Sequence, residues 1–324
     1  MTTKRQSLKL LAGAALAPLA TGAAAQAFPS KPIRLVIPFT PGGGTDFVSR
    51  TVGNKLAESL GWQVVLENKP GAAGNIAIEQ TSKAAPDGYT IVMGQSDNMM
   101  LGPWLYPNVG YDSVKSFAPI VQVSVAPMVI AAAAGSKITG PAELIAAGKV
   151  GNGITWATAG NGSLGHLFGE QLRQSTGMKL TQVHYKGAAP AITDVIGGQV
   201  DVTILSSGSV LPQIKGGKLR AVAVTTGRRS PVLPDTQTIE EAGLKGVDVS
   251  IWLGLFAPAG TPPDVIAKLN AEVNKVLQAP DVREKLAAQG IAPAGGTSEQ
   301  FAAFVREDYA RWGKVVKESG VKAE

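Results

Sequence analysis

The sequence contains no cysteine among its 324 residues. This absence excludes disulfide bonds, thiolate catalysis and cysteine-ligated zinc, so the fold must rest on its hydrophobic cores. Histidine is scarce as well, because His166 and His184 are the only two. Neither histidine is followed by the residues of an H-E-x-x-H or H-x-E zinc pattern, and we predict no metal site and no cofactor.

Clustered positive charge and long apolar runs are also missing. The formal net charge is +6, yet no run of basic residues is longer than Arg228-Arg229. A nucleic-acid-binding face needs clustered basic residues with aromatic residues among them, so we predict no nucleic-acid partner. The longest apolar stretch, residues 118–135, contains two prolines and two polar residues and is too interrupted to cross a bilayer.

The first 27 residues have the composition of an export signal. Lys4, Arg5 and Lys9 form a basic start, an alanine- and leucine-rich stretch follows, and the sequence Ala-Gln-Ala ends at Ala27. This order of regions is typical of a signal peptide that is cleaved after a small-x-small site. We therefore expect export to the periplasm with cleavage near Ala27, by either the general or the twin-arginine route.

The remaining chain alternates short apolar segments with amphipathic ones. About 300 residues at ~150 per domain predict two domains, and the alternation predicts an α/β fold with mostly parallel sheets flanked by helices. Two long apolar strands, predicted over 121–132 and 247–257, bracket a complete α/β set. We therefore predict two lobes joined by two crossing strands.

The predicted first lobe comprises residues 28–126 and 250–324, and the predicted second lobe comprises residues 127–249. A cleft between two such lobes is a common place for a small ligand to bind. The two crossings would then act as a hinge on which the lobes close.

The first of three notable strand-to-helix loops spans residues 39–46 and contains three consecutive glycines. Glycines let the backbone approach a ligand closely, and the amides at a helix N-terminus favour an anion. A Walker A loop is excluded, because no Gly-Lys-Ser/Thr ends this loop. Thr45 is predicted to cap the following helix. Asp46 and Arg50, four residues apart on that helix, are predicted to form an ion pair.

The second loop, residues 158–165, matches the dinucleotide pattern G-x-G-x-x-G. We reject a dinucleotide site, because the next predicted strand ends at Tyr185 without the acidic residue that would hold a ribose. An anion cradle needs only the loop amides and the hydroxyls of Thr158 and Ser163. His166, one turn into the next helix, is either a ligand contact or a hydrogen-bonded structural histidine.

The third loop, residues 206–209, reads Ser-Ser-Gly-Ser, and its hydroxyls either cap the next helix or contact a ligand. A hydrolase that uses Ser163 with His166 or Asp201 is the enzymatic alternative. The G-x-S-x-G elbow is absent, because Asn161 stands where its first glycine belongs. A serine and histidine three apart at a helix start do not form a nucleophile, base and orienting acid. We predict no enzymatic activity.

Several segments are similar to motifs of one known family. They are FPSKPIRLVIPF at 28–39, PGGGTD at 41–46, NKPGAAGN at 68–75, APDGYT at 85–90, GS at 162–163 with HL at 166–167, YKGAAPA at 185–191, GGQVD at 197–201 and GGKLRA at 216–221. Taken together, they resemble the tripartite tricarboxylate transporter substrate-binding family, the Bug proteins. The similarity extends over essentially the whole chain after residue 27.

This resemblance implies a two-lobed periplasmic binding fold that closes on a small carboxylate, held by loop amides, hydroxyls and ordered waters. It also implies integral-membrane transporter subunits as partners, and we expect the binding protein to be a monomer. On the first lobe it places the ligand contacts at Phe39, Gly43, Gly44, Thr45 and Asp46. On the second lobe it places them at Thr158, Gly162, Ser163, His166 and Ser206.

The ligand class stays open among di- or tricarboxylates and aromatic or amino-acid carboxylates. Many relatives carry an aspartate where this chain has Ser206, which weakens the case for an amino-acid ligand. A sensor subunit that presents its ligand to a membrane kinase would share every loop described above. A purely structural envelope protein would not need three such loops.

Overall fold

The computed structural model describes residues 28–244 and 248–322. The predicted export signal and the first residue of the strand predicted from Val247 lie outside these ranges. Ten strands are described: β1 Ile33–Ile37, β2 Val64–Asn68, β3 Thr90–Gln95, β4 Phe117–Ala133, β5 Ile154–Thr158, β6 Leu180–His184, β7 Val202–Ser206, β8 Leu219–Val224, β9 Ser250–Pro258 and β10 Ala292–Pro293.

Ten α-helices are described in the same ranges: α1 Gly44–Leu60, α2 Asn75–Ser82, α3 Gly102–Leu105, α4 Pro141–Lys149, α5 Leu164–Thr176, α6 Ala188–Ile196, α7 Ser207–Lys215, α8 Pro263–Gln278, α9 Pro280–Ala287 and α10 Ser298–Ser319. A short 3-10 turn, Ala72–Gly74, precedes α2, and a π-helical turn, Ser96–Leu101, follows β3. No helix in the described part of the chain is long and apolar enough to cross a membrane.

The strands form two sheets that share β4. In the first sheet the order is β2-β1-β3-β9-β4, and β10 also pairs with β4. In the second sheet the order is β6-β5-β7-β4, and β8 pairs with β4 as well. The outer strands β2, β1 and β3 run parallel, as do β6, β5 and β7. The sheets are more mixed than the sequence pattern predicts, because β4 and β9 run antiparallel to their neighbours.

The long strand β4 passes from one sheet to the other near its middle. Its first part, as far as Pro127, pairs with β9, and its second part, from Met128, pairs with β7. The chain returns beside the same point, because Thr225 donates its backbone N–H to the carbonyl of Met128. The carbonyl of Thr225 in turn accepts from the N–H of Val249, one residue before β9.

Helix α1 has one apolar face, which packs into the core. Val48, Val52 and Leu56 of α1 are buried against the first sheet, whereas Leu60 in the last turn is only partly buried. Four-residue spacing places such side chains on one side of a helix. Only six residues separate the end of β1 at Ile37 from Gly44, so the N-terminus of α1 lies at the carboxyl end of β1. The first loop, residues 39–46, is thereby placed at that end of the sheet.

Candidate functional site: a cavity at three helix N-termini

A small cavity lies where the ends of the two sheets face each other. Six residues predicted as ligand contacts line it: Phe39, Gly43, Gly44, Thr45, Ser163 and Ser206. Its volume is about 30 Å³, which is enough for about two water molecules. Pockets that hold small ligands are about tenfold larger, so a dicarboxylate can enter only if the walls move apart.

The N-terminus of α1 forms one wall of the cavity. Its N-cap residue is Gly43, which has no side chain, and the N–H of Gly44 donates to Ser209 Oγ at 2.8 Å. A β-carbon at residue 44 would lie 2.5 Å from Ser206 Oγ and 3.1 Å from Ser209 Oγ. A side chain at position 44 would therefore force Ser206, or the helix end that carries it, to shift.

Thr45 does not cap α1, and the prediction that it does is wrong. The helix begins one residue earlier, at Gly44, so Thr45 lies inside its first turn. Its buried hydroxyl instead donates to Gln95 Oε1 at 2.5 Å. The neighbouring strand β3 ends at Gln95, which places this amide oxygen within hydrogen-bond distance of the Thr45 hydroxyl.

The N-terminus of α7 forms the opposite wall. Ser206 is its N-cap residue, but the Ser206 hydroxyl makes no capping hydrogen bond to its own helix. Instead it lies 3.0 Å from the hydroxyl of Ser209. The two serines thus face Gly44 together, so the third predicted loop is brought against the first.

Two side chains accept hydrogen bonds from the N-terminal amides of α5. Ser163 Oγ accepts from the backbone N–H of His166 at 3.3 Å, and Asp97 Oδ1 accepts from the N–H of Leu164 at 2.8 Å. The other oxygen of Asp97 accepts from Gln95 Nε2 at 2.8 Å. A chain of hydrogen bonds therefore runs from Thr45 through Gln95 and Asp97 to α5.

Asp97 is the buried acid of this cavity, with 3% of its surface exposed. Burial raises the pKa of its carboxyl to about 6, although the hydrogen bonds from Leu164 and Gln95 act in the opposite direction. Desolvation disfavours the charged form of an acid. Because Asp97 accepts from the Leu164 N–H, its carboxylate occupies the N-terminus of α5, where a ligand anion was predicted.

Four predicted contacts do not line the cavity. They are Asp46, Thr158, Gly162 and His166. Burial alone would raise the pKa of Asp46, but hydrogen bonds from Arg50, the Gly42 N–H and Asn68 outweigh it and lower that pKa. The predicted ion pair is confirmed, with Arg50 2.9 Å from Asp46. Asp46 thus stabilises the first loop from outside the cavity, because it accepts from the Gly42 N–H.

The other three residues make hydrogen bonds near the N-terminus of α5, outside the cavity. The N–H of Gly162 donates to His166 Nδ1 at 3.0 Å, and Thr158 Oγ1 lies 2.8 Å from His184 Nδ1. Burial, assisted by the charge of His184, lowers the pKa of His166 to about 4. His166 is therefore neutral near pH 7, with its Nδ1 occupied by the Gly162 N–H.

Backbone hydrogen bonds occupy the side chains that the hydrolase alternative would use. Ser163 Oγ accepts a backbone N–H, while the ring nitrogen Nδ1 of His166 accepts another backbone N–H. Asp201 accepts hydrogen bonds from the backbone N–H and the hydroxyl of Thr155. These two residues lie at the amino ends of β5 and β7, whereas the cavity lies at the carboxyl ends. This geometry gives the hydrolase alternative no support. Within residues 28–244 and 248–322, no three acidic or histidine side chains are grouped to hold a metal ion.

Sequence analysis missed Gln95, Asp97 and Ser209 as cavity residues. Ser209 belongs to the third loop, but Gln95 and Asp97 lie in a fourth strand-to-helix connection that contains no glycine until Gly102. The available signal was the polar Gln-Ser-Asp-Asn run directly after an apolar strand. The run begins at Gln95, the last residue of β3, so its side chains follow the strand to the cavity end of the sheet.

The chain is similar to proteins of one family along most of its length. A family model described as the tripartite tricarboxylate transporter family receptor matches residues 48–321. The protein BugT of Bordetella pertussis is 36% identical over 310 residues, which are 95% of each chain. The structure of the periplasmic binding protein BugD has a TM-score of 0.86 at 35% identity, covering 92% of this chain and 100% of that one.

Two similar structures contain a carboxylate. Rpa4515 of R. palustris with adipate has a TM-score of 0.87 at 33% identity and covers 91% of this chain and 99% of that one. MatC of Rhodopseudomonas palustris with bound malate has a TM-score of 0.82 at 32% identity, with coverages of 89% and 100%.

Proposed function

The chain belongs to the tripartite tricarboxylate transporter receptor family and has its periplasmic binding protein fold, and from this premise we propose that it captures a small organic carboxylate between the N-termini of α1 and α7. The captured ligand would then be delivered to integral-membrane transporter subunits. The single observation that supports this proposal is the Gly44–Ser209 contact, which brings two helix N-termini together at one cavity.

The physical reason for an anion lies in the two helix ends. Each helix N-terminus carries roughly half a positive charge, and its first amides have no partner within the helix. At α1 the N-cap is a glycine, and at α7 the N-cap serine leaves its own helix uncapped. A carboxylate between them would accept from both ends, while Ser206 and Ser209 would donate their hydroxyls to it.

Capture would require the two sheets to separate and close again. We propose that residues 28–126 with 250–324 move as one lobe, and residues 127–249 as the other. The pairing of β4 changes between Pro127 and Met128, and the returning chain is bonded to that same point at Thr225, so both connections lie close together. A ligand that contacts both lobes has a higher affinity for the closed arrangement and so shifts the equilibrium towards it.

The ligand class that we propose is a small carboxylate with a second polar group. Related structures hold adipate and malate, and both are dicarboxylates of short chain length. The cavity of this chain is lined by hydroxyls and amides as well as by Phe39, Met128 and Ile251. This mixture suits a ligand with one anionic end and a short carbon skeleton.

A thermal-shift screen of the purified chain against mono-, di- and tricarboxylates tests the proposal. A ligand present at one hundred times its Kd adds about 2.7 kcal/mol to the free energy of unfolding, which gives a clear rise in melting temperature. Calorimetry of each hit should show saturable binding with no product formed. A panel in which no carboxylate raises the melting temperature, or one in which a carboxylate is turned over, would contradict the proposal.

A further inference from the structure

The cavity contains a negative charge that its proposed ligand must accommodate. Of the described residues that line it, Asp97 alone is ionisable. A carboxylate ligand therefore enters a site whose single charged side chain has the same sign as the ligand. Like charges at short distance in a buried site repel each other strongly, so the position of Asp97 restricts which carboxylates can bind.

Asp97 still has free acceptor capacity. Its two oxygens accept one hydrogen bond each, from the Leu164 N–H and from Gln95 Nε2. A carboxylate offers about four acceptor positions. The amide oxygen of Gln95 is already held by Thr45, which fixes the amide with its nitrogen directed to Asp97. Neither partner carries a positive charge, so no protein cation neutralises this buried carboxylate.

The three helix N-termini are therefore not equivalent for a ligand. The first amide of α5 already donates to Asp97, and Ser163 caps the same helix. The first amide of α1 donates to Ser209 Oγ on the opposite wall, a neutral hydroxyl that a carboxylate can replace. The N-cap residue of α7 makes no capping hydrogen bond. A ligand carboxylate is accordingly directed to α1 and α7, and another part of the ligand then faces Asp97.

We infer that Asp97 is a specificity-determining residue that selects carboxylates bearing a hydrogen-bond donor, an ammonium or a hydroxyl group, which donates to the Asp97 carboxylate. This inference rests on the proposed function of the same cavity. It also changes the significance of Ser206, which has no carboxylate, because Asp97 supplies a carboxylate from another part of the cavity wall. A carboxylate without a donor makes no hydrogen bond to Asp97 that would offset the repulsion between the two negative charges, and it binds weakly.

Matched ligands that differ only in the donor test this inference. Succinate, malate and aspartate form one set, and phenylacetate, mandelate and phenylglycine form a second set. Calorimetry at pH 7.5 with the full mature chain uses whichever set gives the larger thermal shift. We expect the ligand without a donor to bind at least about tenfold more weakly than the better of the other two. The hydroxyl and ammonium members show which donor the site prefers.

Asp97→Asn should reduce that tenfold preference to about threefold or less, because the variant lacks the charge that demands a donor. Asp97→Ser, whose hydroxyl can still accept from Leu164, is the second variant if the asparagine form does not fold. Asp87→Asn changes an exposed carboxylate paired with Lys31 and serves as the matched control. The control should keep the full preference.

Equal affinities for the three members of a set in the wild type would overturn the inference, as would a preference that survives in both Asp97 variants. These results would leave the proposed function intact, because the carboxylates would still bind. The proposed function fails separately, if no member of either set and no other carboxylate stabilises the chain.

Discussion

The backbone N–H of Gly44 donates to Ser209 Oγ at 2.8 Å, which joins the first turn of α1 to the first turn of α7. The two residues are 165 positions apart in the sequence and belong to helices that flank different sheets. Because a buried donor must have a partner, the serine satisfies the first amide of α1 while the cavity is closed. A ligand carboxylate that enters between the helices can take over this role.

The close approach at Gly44 predicts a large difference between two neighbouring glycines. In Gly44→Ala the new methyl group would lie 2.5 Å from Ser206 Oγ and should push the two helix ends apart. In Gly43→Ala it would lie 3.4 Å from the Ala188 side chain, a contact that a shift of a few tenths of an ångström relieves. We expect Gly44→Ala to weaken carboxylate binding at least tenfold, and Gly43→Ala to have a much smaller effect.

Calorimetric titration of both variants, with circular dichroism to establish folding, measures this difference. Similar losses of affinity in the two variants would remove the Gly44 contact from the site.

Ser209→Ala should destabilise the chain, because the buried N–H of Gly44 loses its acceptor. A buried donor without a partner costs about 1–3 kcal/mol, and urea unfolding should show a loss of this size. Ser175→Ala removes an exposed hydroxyl that bonds within its own helix and is the control. The control should change stability by less than about 0.5 kcal/mol. Equal stability of Ser209→Ala and the wild type would show that another group satisfies Gly44.

The buried carboxyl of Asp97 predicts a specific pH dependence of stability. Its pKa is about 6 in the folded chain, against an ordinary value of 3.8 for an aspartate, so the folded state binds the proton more tightly. Stability from this group is present below pH 4 and is lost as the pH rises through 6. By pH 8 the wild type should have lost about 3 kcal/mol relative to Asp97→Asn.

Unfolding of both proteins between pH 4 and 8 gives this difference directly. His166 and His184 have lowered pKa values, mainly through burial, and act in the opposite direction, but they are present in both proteins. A difference that does not change with pH would show that Asp97 titrates near its ordinary value.

The composition of residues 1–27 predicts processing during export. Mature protein recovered from the periplasm should begin at or near Phe28, and N-terminal sequencing or intact-mass measurement checks this. Recovery of periplasmic protein that still begins at Met1 would contradict the prediction.

Much of the fold follows from sequence patterns because those patterns report on burial. The family resemblance and the fold class are confirmed. The long strands predicted over 121–132 and 247–257 correspond to β4 and β9. Local sequence motifs predicted the glycine-rich loop before α1 and the serine-rich loop at the start of α7 as candidate ligand contacts. The contact between Gly44 and Ser209 could not be read from either loop, because it depends on how the two sheets are placed.

Asp97 is the clearest example of a cavity residue that sequence patterns do not predict. Its role depends on a π-helical turn that no periodic pattern indicates, and on a hydrogen bond to Leu164, 67 positions later. Thr45 was misassigned for a related reason. Threonine is a good N-cap in isolation, but here the chain places Gly43 at that position and turns Thr45 towards Gln95.

A crystal structure of the complex with the carboxylate that binds most tightly in the screen tests the central claim most directly. The account predicts a ligand carboxylate between α1 and α7, with an oxygen within about 3.2 Å of the backbone amides near Gly44 and of Ser209 Oγ. A well-ordered ligand bound elsewhere on the chain, with Gly44 still donating to Ser209, would contradict it.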